Sequence, residues 1–331
     1  PISQWWDDIL VENGLIQNES EYYIAVKNKN QSSEIVAMFH KDNPNEPISQ
    51  WHTAIGTNGL VDGQSEYYIA VDEQYKQAIF HKDNPNTPIS KWWKYISKQG
   101  VIQHQSDYYI AKTHENKYAI FHKDNPQEPL SNWYAEINPD GLVTGTSDYY
   151  IAQNDEYKKA LFHKDYKEPV INWASSICLV TTMYDYMNPQ SFYAVKEAGD
   201  VAVQIYCTDD ICNPLYSIPD TEYYYPKILY ANKQAAVFVI DNHLILYDYM
   251  NQEKVVSQEP IKSKINVNLT RLLAPQHINN NYVIPVVCYD KAYLYDLDGS
   301  LITILNDPAD IDPYISNVLY PSQSMDMIRL Y

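Results

Sequence analysis

Apolar and polar positions recur along the first half of the chain with a nearly constant period. The stretch AIFHKDNPNTPISKWW at 78–93 is nearly repeated as AMFHKDNPNEPISQW at 37–51 and AIFHKDNPQEPLSNW at 119–133, and more loosely as ALFHKDYKEPVINW at 160–173. Equivalent prolines lie 41, 41 and 40 residues apart, at Pro47, Pro88, Pro129 and Pro169. Agreement of this kind at a fixed spacing establishes a tandem repeat.

Within one repeat, the local pattern predicts short β-strands. SEYYIAV (65–71) and YKQAIFHK (75–82) are aromatic and β-branched runs separated by the polar residues DEQ, which predicts a hairpin. HKDNPNTP, with Asp-Asn-Pro followed by a second proline, predicts a chain reversal. Asn-Gly and Asp-Gly between apolar runs, as in TNGLV and PDGLV, indicate a second short hairpin. Four short strands per repeat are therefore expected, the size of one blade of a β-propeller.

The PISxWW segment of the repeat also fits a helix. At the start of the chain its apolar residues have the i, i+3, i+4, i+7 spacing of a helical face, and a glycine stands where a helix C-cap would lie. The residues concerned are Ile2, Trp5, Trp6, Ile9 and Gly14. The divergent copies at 234–261 and 282–305 lack a helical face and alternate between apolar runs and turns. The segment is therefore predicted to be a strand, with a helix-plus-hairpin repeat as the alternative.

Counting the innermost strands gives the expected fold class, an all-β propeller of about eight blades, with seven as the alternative. The centres of these strands are Ile24, Ile69, Ile110, Ile151, Tyr193, Val237, Ile284 and Met327. A single domain over 1–331 is expected, with near-identical repeats at 1–168 and divergent ones at 169–331. The two ends of the chain are expected to complete one shared blade, because this closes the ring and removes open sheet edges.

The repeat resembles β-propeller repeats of the broad WD40-like and quinoprotein-like type over essentially the whole chain. The likeness is architectural, because the Trp-Asp and Gly-His signatures of WD40 blades do not recur in the repeats, and the Trp-Gly dipeptide of bacterial WG repeats is absent. The resemblance implies a rigid ring of a kind commonly used for binding. It carries no catalytic residue onto this sequence.

Composition narrows the class of partner. The chain has 331 residues, of which 45% are hydrophobic and 20% charged, and its formal net charge is −18. Such a charge repels nucleic-acid backbones and anionic membranes, and it suits a basic protein partner. Tyrosine occurs 32 times and glycine only 9 times, which favours aromatic-rich strands over glycine-rich phosphate loops. No run approaches the 18 apolar residues of a membrane span, and no targeting segment is evident, so a cytoplasmic and a secreted location both stay open.

The recurrent His-Lys-Asp triplet invites a metal or catalytic interpretation. Equivalent histidines on neighbouring blades would lie well over ~10 Å apart, whereas metal–nitrogen bonds reach about 2 Å. These histidines, His40, His81, His122 and His163, are therefore predicted to end a strand and bond to the following turn, which begins at Asp42, Asp83, Asp124 and Asp165. No catalytic residue, metal site or cofactor is assigned, since no known catalytic motif occurs. Cys207 and Cys212 are close enough in sequence to bridge a hairpin, although buried thiols are the simpler expectation.

Two adjacent aromatic positions separate core from candidate binding residues. Trp5, Trp51, Trp92, Trp133 and Trp173 occupy a position that is tryptophan in every copy, so they are predicted to lie in the core. The next position varies, as Trp6, His52, Trp93, Tyr134 and Ala174, which predicts partial exposure. Trp6, His52, Trp93 and Tyr134 are therefore the candidate binding residues.

These observations favour a non-enzymatic binding protein that recognises a protein partner, plausibly a basic one, with an inhibitor or immunity-type protein as one specific version. A second hypothesis is a multivalent carbohydrate-binding propeller, in which the exposed aromatic row stacks on sugars. A third is an enzyme with its site in the central channel, built from non-recurring polar residues of several blades.

Overall fold

The computed structural model describes residues 6–10, 14–180, 192–197, 202–218, 227–231, 235–240, 243–248, 253–256, 271–272, 276–278, 281–287, 292–296 and 300–305. The chain forms two compact units, Pro1–Trp173 and Ala174–Tyr331. Within the described ranges the secondary structure is β, apart from one 3-10 turn at Gly14–Gln17, so the all-β prediction is confirmed. None of the described helical segments is long and apolar enough to cross a membrane.

The first unit contains four consecutive antiparallel sheets, one per repeat. Each is built around two five- or six-residue strands that pair along their whole length. The strands are β1 (Asp8–Leu10), β2 (Tyr22–Lys27) and β3 (Ile35–His40) in the first repeat, and β4 (Ala54–Ile55), β5 (Tyr67–Val71) and β6 (Gln77–His81) in the second. They continue as β7 (Tyr95–Ile96), β8 (Tyr108–Lys112) and β9 (Tyr118–His122) in the third, and as β10 (Glu136–Ile137), β11 (Tyr149–Gln153), β12 (Lys159–His163) and β13 (Ile171–Ala174) in the fourth.

The hairpin predicted from SEYYIAV and YKQAIFHK is confirmed. β5 and β6 pair antiparallel from Tyr67 opposite His81 to Val71 opposite Gln77, and the polar residues between them form a tight turn. Three consecutive residues at the centre of each strand are buried. Both faces of the sheet are therefore covered.

The PISxWW segment is neither a regular strand nor a helix where it follows β3, β6 and β9, so both predictions need correction. Trp93 exchanges two backbone hydrogen bonds with Gln77, and the Ile89 N–H bonds to the Ile79 carbonyl at 2.8 Å. Between these points the buried Ser90 hydroxyl accepts the Ile79 N–H at 2.9 Å. The side chain thereby takes the place of a backbone acceptor, and the predicted fourth strand becomes an interrupted edge.

The fourth repeat supports this explanation. Ile171 stands where the earlier copies have serine, and there the segment forms the regular strand β13, which joins the sheet beside β12. A side chain without a hydroxyl cannot intercept the N–H groups of β12. The four-stranded sheet predicted for every repeat therefore appears in the first unit where the serine is missing.

The Asn-Gly signal marks a turn of a different kind from the one predicted. Gly59 has a φ of +88° and lies in the long connection between β4 and β5, where a side chain would collide with the Tyr67 carbonyl oxygen. Leu60 and Val61, which were expected to begin a strand, are buried side chains of this turn. The connection thus contributes to the core without adding a strand.

Neighbouring repeats share their cores, because the two faces of each sheet pack against different neighbours. Ile24 and Met38, on one face of the first sheet, form a cluster with Tyr68 and Phe80 of the second. Ile69 and Ile79, on the opposite face of that second sheet, pack in the same way against Tyr109 and Phe121 of the third. Within each of the four repeats the buried Tyr of the inner strand stacks on the Phe of the next strand, with ring centroids 5.2–5.4 Å apart.

The second unit continues the series with three further sheets in the described ranges. The first comprises β14 (Ser176–Val180), β15 (Phe192–Lys196), β16 (Val203–Cys207) and β17 (Tyr216–Ile218). The second comprises β18 (Lys227–Ala231), β19 (Ala235–Ile240), β20 (His243–Asp248) and β21 (Glu253–Val256), and the third β22 (Arg271–Leu272), β23 (Gln276–Ile278), β24 (Asn281–Val287), β25 (Ala292–Asp296) and β26 (Leu301–Leu305). Seven of the eight predicted strand centres thus lie in strands, whereas Met327 falls outside the described residues.

The repeat can be followed into this unit at CTDDICNP. Cys207 ends β16 and pairs with Asp210 as His81 pairs with Asn84, and the Leu215 N–H bonds to the Ile205 carbonyl. Cys207 is buried and Cys212 is exposed, and no disulfide joins them. The hairpin bridge considered from sequence is therefore absent at these two described residues, and the turn is the divergent equivalent of HKDNPNTP.

Candidate functional site

The His-Lys-Asp triplets and the acidic residue before each inner strand form one recurrent surface, which we call the acidic rim. Antiparallel pairing explains the arrangement, because the residue before β5 lies opposite the residue after β6, and the Lys82 N–H bonds to the Glu66 carbonyl. The rim consists of Glu21, His40, Lys41 and Asp42; Glu66, His81, Lys82 and Asp83; Asp107, His122, Lys123 and Asp124; and Asp148, His163, Lys164 and Asp165.

The rim histidines have a structural role, as predicted. In all four copies the backbone N–H of the Asp donates to the histidine Nδ1, at 3.2–3.3 Å. Nδ1 is thus a hydrogen-bond acceptor in each copy. In the first two repeats Nε2 faces Glu21 and Glu66 at 3.2 and 3.3 Å. Among the described residues, no group of three or more potential ligands is placed to hold a metal ion.

The carboxylates are the most exposed side chains of the rim. Their side chains are 56–76% exposed, whereas those of the four lysines are 27–42% exposed. The lysines lie between the carboxylates, as Lys82 does, 3.3 Å from Glu66 and 3.0 Å from Asp83. Each repeat therefore carries two exposed carboxylates against one lysine, an excess of one negative charge.

These ion pairs favour the charged forms of their members. The Lys82 ammonium holds the pKa of Glu66 and of Asp83 below the ordinary range, and the two carboxylates raise the pKa of Lys82. Lys41 lowers the pKa of Glu21 in the same way. Glu21, Glu66 and Asp83 therefore stay ionised well below neutral pH.

The length of the acidic side chain changes along the rim. Glu21 and Glu66 form hydrogen-bonded pairs with Lys41 and Lys82. The third and fourth repeats have aspartate here, and the Lys123 ammonium lies 3.8 Å from the Asp107 carboxylate, beyond hydrogen-bond distance. The longer glutamates use a carboxylate oxygen to accept a hydrogen bond from lysine. The Asp107 carboxylate does not, so it has acceptor capacity for another donor.

A cleft of about 440 Å³ opens at the rim between the second and third repeats. Its polar lining consists of Gln64, Ser65, Glu66, Tyr67, His104, Ser106, Asp107 and Lys123. Burial raises the pKa of the Tyr67 phenol, which also senses the charges of Lys123 and Asp107. The cleft is therefore walled by a neutral phenol and an imidazole and flanked by two carboxylates.

The predicted exposure of the two aromatic positions of PISxWW holds only in part. The partial exposure predicted for the second position is wrong for His52 and Tyr134, which are buried at 7% and 8% exposed. It is confirmed for Trp6 and Trp93, which are half-buried. The preceding tryptophan was predicted to lie fully in the core, yet Trp133 is 36% exposed and its equivalents Trp51, Trp92 and Trp173 are half-buried. Trp5 lies outside the described residues.

Packing between repeats explains the burial of the second aromatic position. The second ring of one copy packs against the Phe and the first Trp of the next copy, as His52 does with Phe80 at 5.4 Å and Trp92 at 6.5 Å between centroids. Trp6, Trp93 and Tyr134 make the equivalent contacts. The variable position therefore lies between sheets, where rings of several kinds fit. A ligand-binding role for these four residues stays a prediction.

Sequence reasoning missed two exposed tyrosines. Tyr75 and Tyr157 occupy the β5–β6 and β11–β12 hairpin turns, are 76% and 78% exposed, and have φ of 60° and 63°. Asn116 takes the same conformation, at 61°, in the third repeat. Asparagine suits this left-handed region, whereas tyrosine does not. A tyrosine aligned with an asparagine in a hairpin turn was the signal that could have revealed them.

The chain is similar to known proteins in structure and not in sequence. No protein-family model matches the chain, and no curated protein is similar in sequence. The similar solved structures are WD40 and BamB-like β-propellers, in agreement with the resemblance inferred from the repeats. BamB from Moraxella catarrhalis shares 10% identity and a TM-score of 0.38, over 90% of this chain and 87% of that one. The C-terminal WD40 domain of Sif2 shares 8% identity and a TM-score of 0.32, over 86% and 79%. The WD40 β-propeller domain of Doa1 shares 7% and 0.32, over 73% and 79%.

Proposed function

We propose that the protein is a non-enzymatic binding protein whose acidic rim recognises a basic protein partner. The observation that carries the proposal is the placement of charge on the rim. In each of four repeats two exposed carboxylates accompany a single lysine. A protein approaching this surface therefore meets an excess of negative charge that recurs with every repeat.

The negative charge of the chain and of the rim determines which proteins are attracted. With a net charge of −18, the chain attracts positively charged proteins over a distance set by ionic strength, so association is fast at low salt. The rim concentrates that attraction on one surface, because its carboxylates are rigidly placed at strand ends. Complementary charge of this kind gives specificity and on-rate. An inhibitor or immunity-type protein that neutralises a basic partner is one specific form of the proposal.

The propeller itself is part of the proposal. A ring of about eight blades, with seven as the alternative, would present the rim repeats along one edge. It is supported by seven antiparallel sheets in sequence order and by the sharing of cores between neighbours in the first unit. Projection images by electron microscopy would count the blades directly. An open, unclosed stack in those images would contradict the ring.

The test uses two variants with equal changes of charge. Asp42→Asn, Asp83→Asn and Asp124→Asn together neutralise three rim carboxylates, and Glu73→Gln, Glu115→Gln and Glu156→Gln neutralise three exposed carboxylates in the hairpin turns. Each protein is used to capture partners from native lysate at low salt, and the captured proteins are identified by mass spectrometry. We expect a basic protein that the wild type and the turn variant retain, that the rim variant loses, and that high salt releases.

Two outcomes would contradict the proposal. One is that no specific partner is recovered at any salt concentration. The other is that the turn variant loses the partner as completely as the rim variant, since net charge alone would then account for binding. No specific observation favours the carbohydrate-binding or the enzymatic alternative.

A further inference from the structure

The cleft between the second and third repeats results from one substitution in the repeated turn. In every copy an acidic rim residue precedes the Tyr-Tyr pair of the inner strand. The residue three positions before that acidic residue has a positive φ: Asn18 (61°), Gly63 (73°), His104 (55°) and Gly145 (71°). Glycine and asparagine suit this conformation. His104 is the large side chain of the set, and it lines the cleft. The third repeat therefore has an imidazole where the other copies have glycine or asparagine.

Glycine at this position closes the neighbouring junctions. Gly63 packs so tightly on the Glu19 carbonyl that a side chain would collide with it, and Gly145 packs on the Gln105 carbonyl in the same way. A serine hydroxyl completes each of these junctions: Ser20 donates to the Val61 carbonyl at 2.6 Å, and Ser106 to the Val143 carbonyl at 2.7 Å.

The junction that contains His104 is different. Its serine, Ser65, donates within its own repeat to the Tyr67 carbonyl at 3.3 Å instead of reaching across to the third repeat. His104 occupies the position that is glycine in the two closed junctions, and it lines the cleft. The cleft is therefore a built feature of this junction.

We infer that this cleft binds an arginine side chain of the basic partner. Its lining carries two carboxylates, Glu66 and Asp107, against one ammonium, Lys123. The Lys123 charge is paired with Asp124 at 3.0 Å, while Asp107 keeps acceptor capacity because Lys123 lies 3.8 Å away. A guanidinium group entering the cleft meets the carboxylate of Asp107, which has acceptor capacity, and the negative charge of Glu66, whose oxygens also face Lys82 and His81.

The shape of the cleft selects arginine over lysine. A guanidinium is planar, donates two parallel hydrogen bonds to a carboxylate, and stacks on aromatic rings. The Tyr67 phenol and the His104 imidazole supply such rings at the wall of the cleft. An ammonium group is a compact, strongly hydrated charge and gains little from flat walls. Anionic ligands are excluded by the net negative charge of the lining.

The inference rests on the proposed function for the identity of the partner, and its test needs no partner. The probes are N-acetyl-L-arginine methylamide and its lysine and citrulline counterparts, titrated into the isotope-labelled chain and followed by amide chemical shifts. We expect the arginine probe to move the signals of 64–67 and 104–107 and to bind about tenfold or more tightly than the uncharged citrulline probe, a factor that equals ~1.4 kcal/mol.

His104→Gly is the decisive variant. Glycine is the residue found at this position in two other repeats, so we expect the chain to fold with equal or higher melting temperature and the cleft to close. Binding of the arginine probe should fall about tenfold or more. Asp107→Asn should weaken it similarly, whereas Asp148→Asn, at the corresponding position of the next junction, should leave it unchanged.

Three results would overturn the inference: equal binding of the citrulline probe, retained binding in His104→Gly, or the same loss in Asp148→Asn as in Asp107→Asn. Absence of any shift with the arginine probe would overturn it as well. None of these bears on the proposed function, because the three aspartates of its rim variant do not line the cleft. Loss of the partner from that variant would still support recognition by the acidic rim.

Discussion

The indole of Trp93 packs against the indole of Trp133 in the next repeat, with ring centroids 5.4 Å apart and an interplanar angle of 52°. Trp93 also contacts Phe121, at 5.3 Å. The second aromatic residue of PISxWW is therefore a joint between consecutive sheets. Its variation from copy to copy reflects rings that fill the same space.

Replacing Trp93 should loosen this joint. We expect Trp93→Ala to destabilise the first unit by about 3 kcal/mol, because it removes a ring packed on two others and leaves a cavity. Trp93→Tyr should cost much less, since Tyr134 makes the same contact with Phe162 at 5.3 Å. Urea denaturation followed by near-UV circular dichroism measures both. A Trp93→Ala chain as stable as the wild type would assign this ring to the surface.

His52 should make the stability of the first unit depend on pH. Burial lowers the pKa of the imidazole, so the unfolded chain binds the proton more readily than the folded one. Stability is then complete above pH ~6.5, the ordinary value of histidine, and is lost as pH falls below it. The loss should not exceed about 1.4 kcal/mol per pH unit, which corresponds to one proton.

His52→Tyr is the matched control for this titration, because the equivalent residue Tyr134 is an uncharged ring in the same setting. Subtracting its denaturation midpoints from those of the wild type between pH 5 and 8, a range that brackets the histidine titration, removes the contribution of the exposed histidines. Parallel curves for the two proteins over that range would show that His52 does not titrate on unfolding.

Ser90 should stabilise the interrupted edge of the second sheet. Its buried hydroxyl accepts the Ile79 N–H at 2.9 Å and donates to the Lys91 carbonyl at 2.9 Å. Ser90→Ala leaves the buried N–H without its acceptor, which should cost about 1–3 kcal/mol and speed the exchange of the Ile79 amide. Thr87→Ala, in the exposed turn just before, should change neither. Unchanged protection of Ile79 in Ser90→Ala would mean that another acceptor replaces the hydroxyl.

The residues at equivalent positions of two hairpin turns can be exchanged for each other by substitution. Tyr75 and Asn116 adopt the same left-handed conformation in equivalent turns, at φ 60° and 61°. We expect Tyr75→Asn to raise stability by up to about 1 kcal/mol and Asn116→Tyr to lower it by a similar amount, because asparagine tolerates this region better. Thermal unfolding measures both. Changes of the same sign would show that the backbone conformation does not decide the effect.

Aromatic and β-branched runs separated by polar residues were enough to predict the central strands, and β5 and β6 each bury three consecutive residues. It failed at PISxWW, where the Ser90 hydroxyl competes with the backbone for the N–H of Ile79. The burial of His52 and Tyr134 was also missed, since their contacts come from Phe80 and Phe162 of the next repeat. His104 could have been found by aligning the turn column, in which two glycines and an asparagine accompany it.

Recognition of a basic partner by the acidic rim is tested most directly by the footprint of that partner. Amide hydrogen exchange of the chain would be compared with and without the captured protein at low salt. We predict slower exchange at the rim turns 40–43, 81–84 and 122–125, with unchanged exchange in the hairpin turns 72–76, 113–117 and 154–158. Protection confined to the hairpin turns, with the rim turns unaffected, would contradict the account.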